Sequence, residues 1–185
     1  MSKSREEIQM AKIIDDPISP LHGMTLSSLP VDVYLEAAKS EDDIGVLLRS
    51  HYLVESACRN LCEVLYPNYG ALGHESLSQY LRAVRAIGFS APVLRMADVV
   101  NKHRGPSAHV KSRVITAKHV DELNAQSSGV LKISGTLLSV GSLQASDGRL
   151  VPITQAPLRI QYVMLSMNCA GAIDYMAEVR KSAAA

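Results

Sequence analysis

Hydrophobic residues recur along most of the chain at the three- and four-residue spacing of an amphipathic α-helix, and proline or glycine separates the helical stretches. The predicted helices are 4–15, 29–39, 40–66, 74–87, 90–104, parts of 107–126 and 158–181. Ser40 followed by Asp43 resembles a capping box at the start of the longest internal helix. Thr116 precedes AKHVDELNAQ as a possible N-cap. We therefore expect an all-α, multi-helix bundle.

Residues 130–155 differ from the rest of the chain, because β-branched residues and glycines surround an Asp147-Gly148 pair between two apolar runs. Asp-Gly is typical of a tight hairpin turn. The pattern predicts a small β-hairpin, with an irregular insertion as the alternative. Two prolines and a glycine within DDPISPLHG indicate a linker near the N-terminus. We expect an N-terminal helical arm and linker over 1–28 and a single helical domain over 29–185.

The composition is aliphatic and nearly neutral: 47% of the 185 residues are hydrophobic, only 4% are aromatic, and the net charge is +1. This length suffices for one buried core without disulfides or metals. Three cysteines, two of them four residues apart in a predicted helix, do not resemble a secreted disulfide framework. The N-terminal residues mix charges into their apolar run, unlike a signal peptide. We expect a cytoplasmic protein that does not span a membrane.

The long helix predicted over 40–66 carries a polar pair on its inward stripe. This stripe comprises Ile44, Leu47, Leu48, His51, Glu55, Cys58, Cys62 and Leu65. His51 and Glu55 are four residues apart, so they lie on one face. A buried carboxylate without a partner is costly, and we expect Glu55 to contact either His51 or an arginine from another helix, such as Arg104. The pair can serve structure or function.

The most basic part of the chain lies between Asp98 and Asp121, where no acidic residue occurs. Such a segment suits phosphate or another acidic partner, protein or nucleic acid. The alternative is a solvated basic face near a helix end. The candidate binding residues are Lys102, Arg104, His109, Lys111, Arg113 and Lys118.

Arg104 and His109 form the candidate catalytic pair, since they straddle a predicted helix break. An imidazole can act as general acid or base while a guanidinium holds a phosphate in bidentate fashion. With Glu55 as a positioning residue, this set would suit metal-independent RNA cleavage. The alternative is that Arg104 caps its helix and His109 packs locally. The sequence contains no metal-binding pattern such as CxxC or HExxH and no phosphate-binding glycine loop, so we assign no metal and no cofactor.

Four stretches of the chain resemble the mannitol operon repressor family. They are VLLRSHYLVESACRNL, LSQYLRAVRAIGF, VLRMADVVNKHRGPSAH and RIQYVMLSMNCAGAIDYM, within residues 40–180. The third resembles the family's I-R-N-x-F-A-H segment, and its Arg-x4-His pattern is similar to that of the broader HEPN helical superfamily. Arg104 and Ala108-His109 fit this motif, and Glu55 fits the inward acid of the long helix.

The resemblance implies an all-α, dimeric transcriptional regulator that represses sugar-alcohol uptake and metabolism. The alternatives are a HEPN-type ribonuclease and an inactive HEPN protein that binds RNA or nucleotide. Gly105 replaces the usual polar residue and Ser107 replaces an aromatic one, which favours the regulator or the inactive protein. We find no recognition helix of the helix-turn-helix type, so action through a surface or a partner is expected. A homodimer is expected, and the apolar, methionine-containing helix over 158–179 is a candidate for its interface, which the sequence leaves open.

Overall fold

The computed structural model describes residues 36–184, with several gaps. The gaps are 41, 67, 74–75, 87, 90–91, 106–113, 129, 131–141 and 145–149. The predicted arm and linker over 1–28 therefore lie outside the described residues, as do most of the predicted helix over 29–39 and the Asp147-Gly148 turn. His109, Lys111 and Arg113 also lie outside them.

The predicted all-α bundle is confirmed. Its helices are α1 (Asp43–Leu65), α2 (Leu77–Ala86), α3 (Pro92–Arg104), α4 (Ala117–Ser127) and α5 (Leu158–Ala184). Residues 36–39 are also helical, and 3-10 turns occupy Tyr69–Leu72 and Ile153–Gln155. The predicted hairpin is present as two short antiparallel strands, β1 (Ser142–Gln144) and β2 (Leu150–Pro152), with Leu143 opposite Val151.

The core forms where α5 packs along α1, and α5 also contacts α3 and α4. Every residue of α5 from 168 to 174 is buried within this one chain. The middle of this helix, which was a candidate dimer interface, therefore packs inside the bundle. All three cysteines are free thiols in this core. Among the described residues, no helix is long and apolar enough to cross a membrane.

The start of α1 differs from the predicted capping box. Asp42, and not Ser40, is the N-cap: its carboxylate accepts a hydrogen bond from the backbone N–H of Gly45. The Ser40 hydroxyl instead lies 3.2 Å from an Asp42 carboxylate oxygen. Leu48, which we placed on the inward stripe, is 40% exposed, whereas Leu47 and His51 are buried. The buried face of α1 therefore includes Leu47 and His51 but not Leu48.

Asp43, in the first turn of α1, ties three parts of the fold together. Its carboxylate accepts the backbone N–H of Ile115 at 2.7 Å and the Nε–H of Arg159 at 3.1 Å. Arg159 also donates to the carbonyl oxygen of Ser40 at 3.3 Å. The Asp43 carboxylate thus fixes the chain just before α4 against the first turns of α1 and α5. This contact holds α4 beside the end of α3.

Candidate functional site

The end of α3 presents three side chains in three directions. Lys102 faces α4, His103 enters the core, and Arg104 is the exposed last residue of the helix. Residues two apart on a helix do not face each other, so Lys102 and Arg104 lie on different sides. Cations at a helix carboxyl end are favoured by the macrodipole. The predicted basic segment is therefore divided into two parts within the described residues.

Arg104 is exposed and makes no hydrogen bond or ion pair with any described residue. It follows Asn101 by three residues and so lies on the same side of α3. The Oδ1 atom of Asn101 is 3.3 Å from Nε2 of His51 on α1. The positive charge of Arg104 reaches this imidazole and contributes to lowering its pKa. Arg104 is therefore a cation near the His51 and Glu55 pair, without an ion-pair partner in the part of the chain that is described.

The side chains of His51 and Glu55 contact each other, and His51 also contacts Asn101 on α3. Nδ1 of His51 lies 3.4 Å from Oε2 of Glu55, and the Nδ2–H of Asn101 donates to the Ser78 hydroxyl at 2.9 Å. Burial is the main cause that lowers the pKa of His51, although the Glu55 carboxylate opposes it. Glu55 has a titratable partner at ion-pair distance, on the face where its spacing placed it. That partner is His51; Arg104 makes no ion pair with Glu55.

On the α4 side, the carboxylate of Glu122 contacts two hydrogen-bond donors and lies near a third. Oε2 of Glu122 lies 2.9 Å from Nζ of Lys102 and 3.1 Å from Nε2 of His103, and Oε1 lies 4.0 Å from Nζ of Lys118. The hydrogen bond from Lys102, followed by that from His103, lowers the pKa of Glu122 to about 2. Glu122 is therefore ionised at physiological pH and occupies the centre of this cationic cluster.

On its core side, His103 is held in place by Tyr162. The residue is 2% exposed, and its Nδ1 lies 3.2 Å from the hydroxyl of the fully buried Tyr162. A carboxylate only accepts hydrogen bonds, so His103 donates from Nε2 to Glu122. In its neutral form it then accepts the Tyr162 hydroxyl at Nδ1. The ring of His119 also meets the ring of His103 edge-on, with centroids 4.9 Å apart. These contacts direct Nε2 of His103 toward the surface.

The sequence of α4 explains how its residues reach this cluster. Thr116 is the N-cap, as predicted, and Nδ1 of His119 accepts its backbone N–H at 3.1 Å. Lys118 and Glu122 are four residues apart and share one face of the helix. Glu122 and Tyr162 are site residues to which no sequence pattern assigned a role. The spacing of Met96, Val100 and His103 does place His103 on the buried face of α3, and that signal pointed to an inward histidine.

Among the described residues, two other kinds of site were considered: reactive cysteine thiols and groups of metal ligands. Burial raises the pKa of the Cys58 and Cys169 thiols well above the usual range, and raises that of Cys62 to about 11. Buried neutral thiols are poor nucleophiles. In the part of the chain that is described, no three or more His, Cys, Asp or Glu side chains are grouped to hold a metal ion.

Comparisons of the chain with known protein families, curated protein sequences and solved structures gave no match.

Proposed function

We propose that the protein is a transcriptional regulator of the mannitol operon repressor type, acting through a basic surface at the end of α3 and not through a catalytic pocket. The observation that carries this proposal is Arg104, an exposed guanidinium without a partner among the described residues. A free guanidinium can hold a phosphate group through two parallel hydrogen bonds. The partner is then the phosphate backbone of DNA, which needs no recognition helix.

The internal pairing of the ionisable core supports a binding function. His51 contacts Glu55 and Asn101, while His103 contacts Tyr162 and Glu122. A general base must be within hydrogen-bond reach of the proton that it abstracts. Both imidazoles use their ring nitrogens for contacts inside the protein. The exposed cation beside them is therefore the group best placed to meet a partner.

The DNA experiment measures fluorescence anisotropy of a labelled duplex from upstream of a sugar-alcohol operon, over a range of salt concentrations. The proposal predicts binding whose logarithm of affinity falls linearly with the logarithm of salt concentration. An unrelated duplex of equal length is the control. Tighter binding to the operon duplex supports a repressor; equal binding reduces the interaction to backbone charge, and no binding contradicts the proposal.

The regulator is proposed to act as a homodimer, which presents two copies of the basic surface. Residues 168–174 of α5 are buried within one chain, so the proposed dimer would use a surface other than the middle of that helix. Sedimentation at micromolar concentration tests the dimer directly. A monomer at that concentration contradicts it.

The second candidate is a metal-independent ribonuclease of the HEPN type, with His109 as general acid or base and Arg104 stabilising the charge on phosphorus. The observation that favours it is that the charge of Arg104 reaches His51, the contact partner of Glu55. Incubation of the protein with mixed RNA in the presence of a chelator tests this candidate. Cleavage that His109→Ala abolishes would establish it over the regulator, whereas RNA binding without cleavage would indicate an inactive HEPN protein.

A further inference from the structure

The cluster around Glu122 is separate from Arg104, and it combines the buried imidazole of His103 with two exposed lysines. Lys102 comes from α3, Lys118 comes from α4, and Nε2 of His103 is directed outward by its contact with Tyr162. His103 cannot easily turn away, because it is 2% exposed and both ring nitrogens are engaged. This arrangement is a built set of hydrogen-bond donors at the protein surface.

The carboxylate of Glu122 does not satisfy all three of these donors. Two donors share its Oε2 atom, while Nζ of Lys118 remains 4.0 Å from Oε1, too far for a hydrogen bond. The Glu122 side chain is 27% exposed. A glutamate side chain has three rotatable bonds, so it can leave the cluster without any backbone movement.

A phosphate dianion suits the same donors better than a carboxylate does. It carries close to two negative charges and at least three acceptor oxygens. One oxygen can accept from each of Lys102, His103 and Lys118, whereas a carboxylate offers only two oxygens. Hydrogen bonds between charged groups are also the strong ones.

We propose that Lys102, His103 and Lys118 form an oxyanion site for a phosphate dianion, and that Glu122 is an internal competitor that occupies the site in the absence of ligand. Binding of phosphate displaces the Glu122 carboxylate toward solvent. The site goes beyond the DNA-binding function proposed above, since it lies on the other side of α3 from Arg104. The ligand is either free phosphate or a phosphate monoester of a small molecule.

The proposal predicts that Glu122→Gln raises the affinity for inorganic phosphate about tenfold, because the competing charge is removed and a larger fraction of the protein is competent to bind. Isothermal titration calorimetry at constant ionic strength measures this affinity. Glu122→Ala, which leaves no side chain in the site, should act in the same direction. Glu178→Gln is the matched control, since Glu178 forms an exposed ion pair with Lys181 at 2.7 Å. It should change the affinity less than twofold.

NMR spectroscopy tests where phosphate binds. On addition of phosphate, the Nε2 resonance of His103 in a nitrogen-detected spectrum should shift, since its acceptor changes from carboxylate to phosphate. Lys118→Gln in the Glu122→Gln background should remove most of the tenfold gain. A glycerol phosphate arm separates the two ligand sources: tighter binding than inorganic phosphate indicates a monoester, and equal or weaker binding indicates free phosphate.

An equal effect of Glu122→Gln and Glu178→Gln would overturn the proposal, because the gain would then reflect net charge alone. Absence of any His103 shift at saturating phosphate would overturn it as well. Arg104→Gln should leave phosphate affinity unchanged. If the unchanged protein binds phosphate but no DNA, the regulator is contradicted and the oxyanion site stands. If it binds DNA but no phosphate, the oxyanion site is contradicted and the regulator stands.

Discussion

His51 lies between two oxygen atoms, Oε2 of Glu55 and Oδ1 of Asn101. Burial lowers the pKa of His51, so the ring is neutral near pH 7 and has only one N–H to donate. Nε2 carries that N–H, because its partner, Oδ1 of Asn101, can only accept a hydrogen bond. The Nδ2–H of Asn101 in turn donates to the Ser78 hydroxyl at 2.9 Å. One buried proton thus sets the orientation of a short hydrogen-bond chain between α1, α2 and α3.

The lowered pKa of His51 has a definite sign in stability. The unfolded chain has the ordinary histidine pKa of 6.5 and binds the proton first as the pH falls. The free energy of unfolding should therefore decrease below about pH 6.5, by at most about 1.4 kcal/mol per pH unit from this one group. Urea unfolding of the protein and of His51→Gln between pH 7.5 and pH 5 checks this. The variant should show the shallower pH dependence.

The opposite result has a clear meaning. If His51→Gln is as sensitive to acid as the unchanged protein, the loss of stability comes from other groups. If an NMR titration gives His51 a pKa above 6.5, the Glu55 carboxylate outweighs burial, and the sign is reversed.

Single residues also show what the sequence could and could not predict about the site. The four-residue spacing of His51 and Glu55 sufficed to place both on one inward face, because both belong to one helix. Glu122 was missed because its role depends on where α4 lies relative to α3, which no local spacing gives. The same holds for Tyr162, which is 59 residues from His103 in the chain.

At the scale of elements, the α1 and α5 packing carries the core. Leu61 is fully buried there. Leu61→Ala should lower the free energy of unfolding by about 2–5 kcal/mol, since it removes buried methyl groups and leaves a cavity. Leu158→Ala is the control, because Leu158 lies on α5 but is 37% exposed; its effect should be within about 1 kcal/mol. Similar losses for the two variants in denaturant unfolding would contradict this account of the core.

Asp43 is the contact that joins α1, α5 and the chain before α4. Asp43→Ala should cost about 2 kcal/mol, because a half-buried charged acceptor is lost and the Ile115 N–H and the Arg159 guanidinium lose that partner. Glu63→Ala, an exposed acid on the same helix, is the matched control and should change stability by less than about 0.5 kcal/mol. Thermal unfolding of the two variants measures the difference. An equal shift in both would show that the contact contributes little.

The elements themselves were largely predictable, because periodicity and capping residues act locally. The helices now numbered α2 to α4, the Thr116 N-cap and the hairpin all lie where local patterns placed them. The start of α1 was not predictable from the sequence, because Ser40 and Asp42 both precede a possible first turn of the helix. The choice between them depends on which side chain reaches a free backbone N–H, and Asp42 does so at Gly45.

At the scale of the whole molecule, the net charge of +1 hides an uneven distribution. The sequence predicted one basic patch between Asp98 and Asp121. The fold divides the described part of it, since Lys102 and Lys118 share Glu122 while Arg104 remains unpaired. Glu122 neutralises part of the charge of these two lysines, so they contribute less to the long-range attraction of DNA. The Arg104 surface is therefore the part of the basic segment on which the proposed regulator depends.

The most direct test of this central claim compares Arg104→Gln with Arg95→Gln in duplex DNA binding across salt concentrations. Both arginines are exposed on α3 and unpaired among the described residues, so the two variants lose the same charge from the same helix. The account predicts that Arg104→Gln weakens binding and reduces the salt slope by about 1, whereas Arg95→Gln leaves the slope unchanged. Equal binding by the two variants would contradict the claim that Arg104 forms the functional surface.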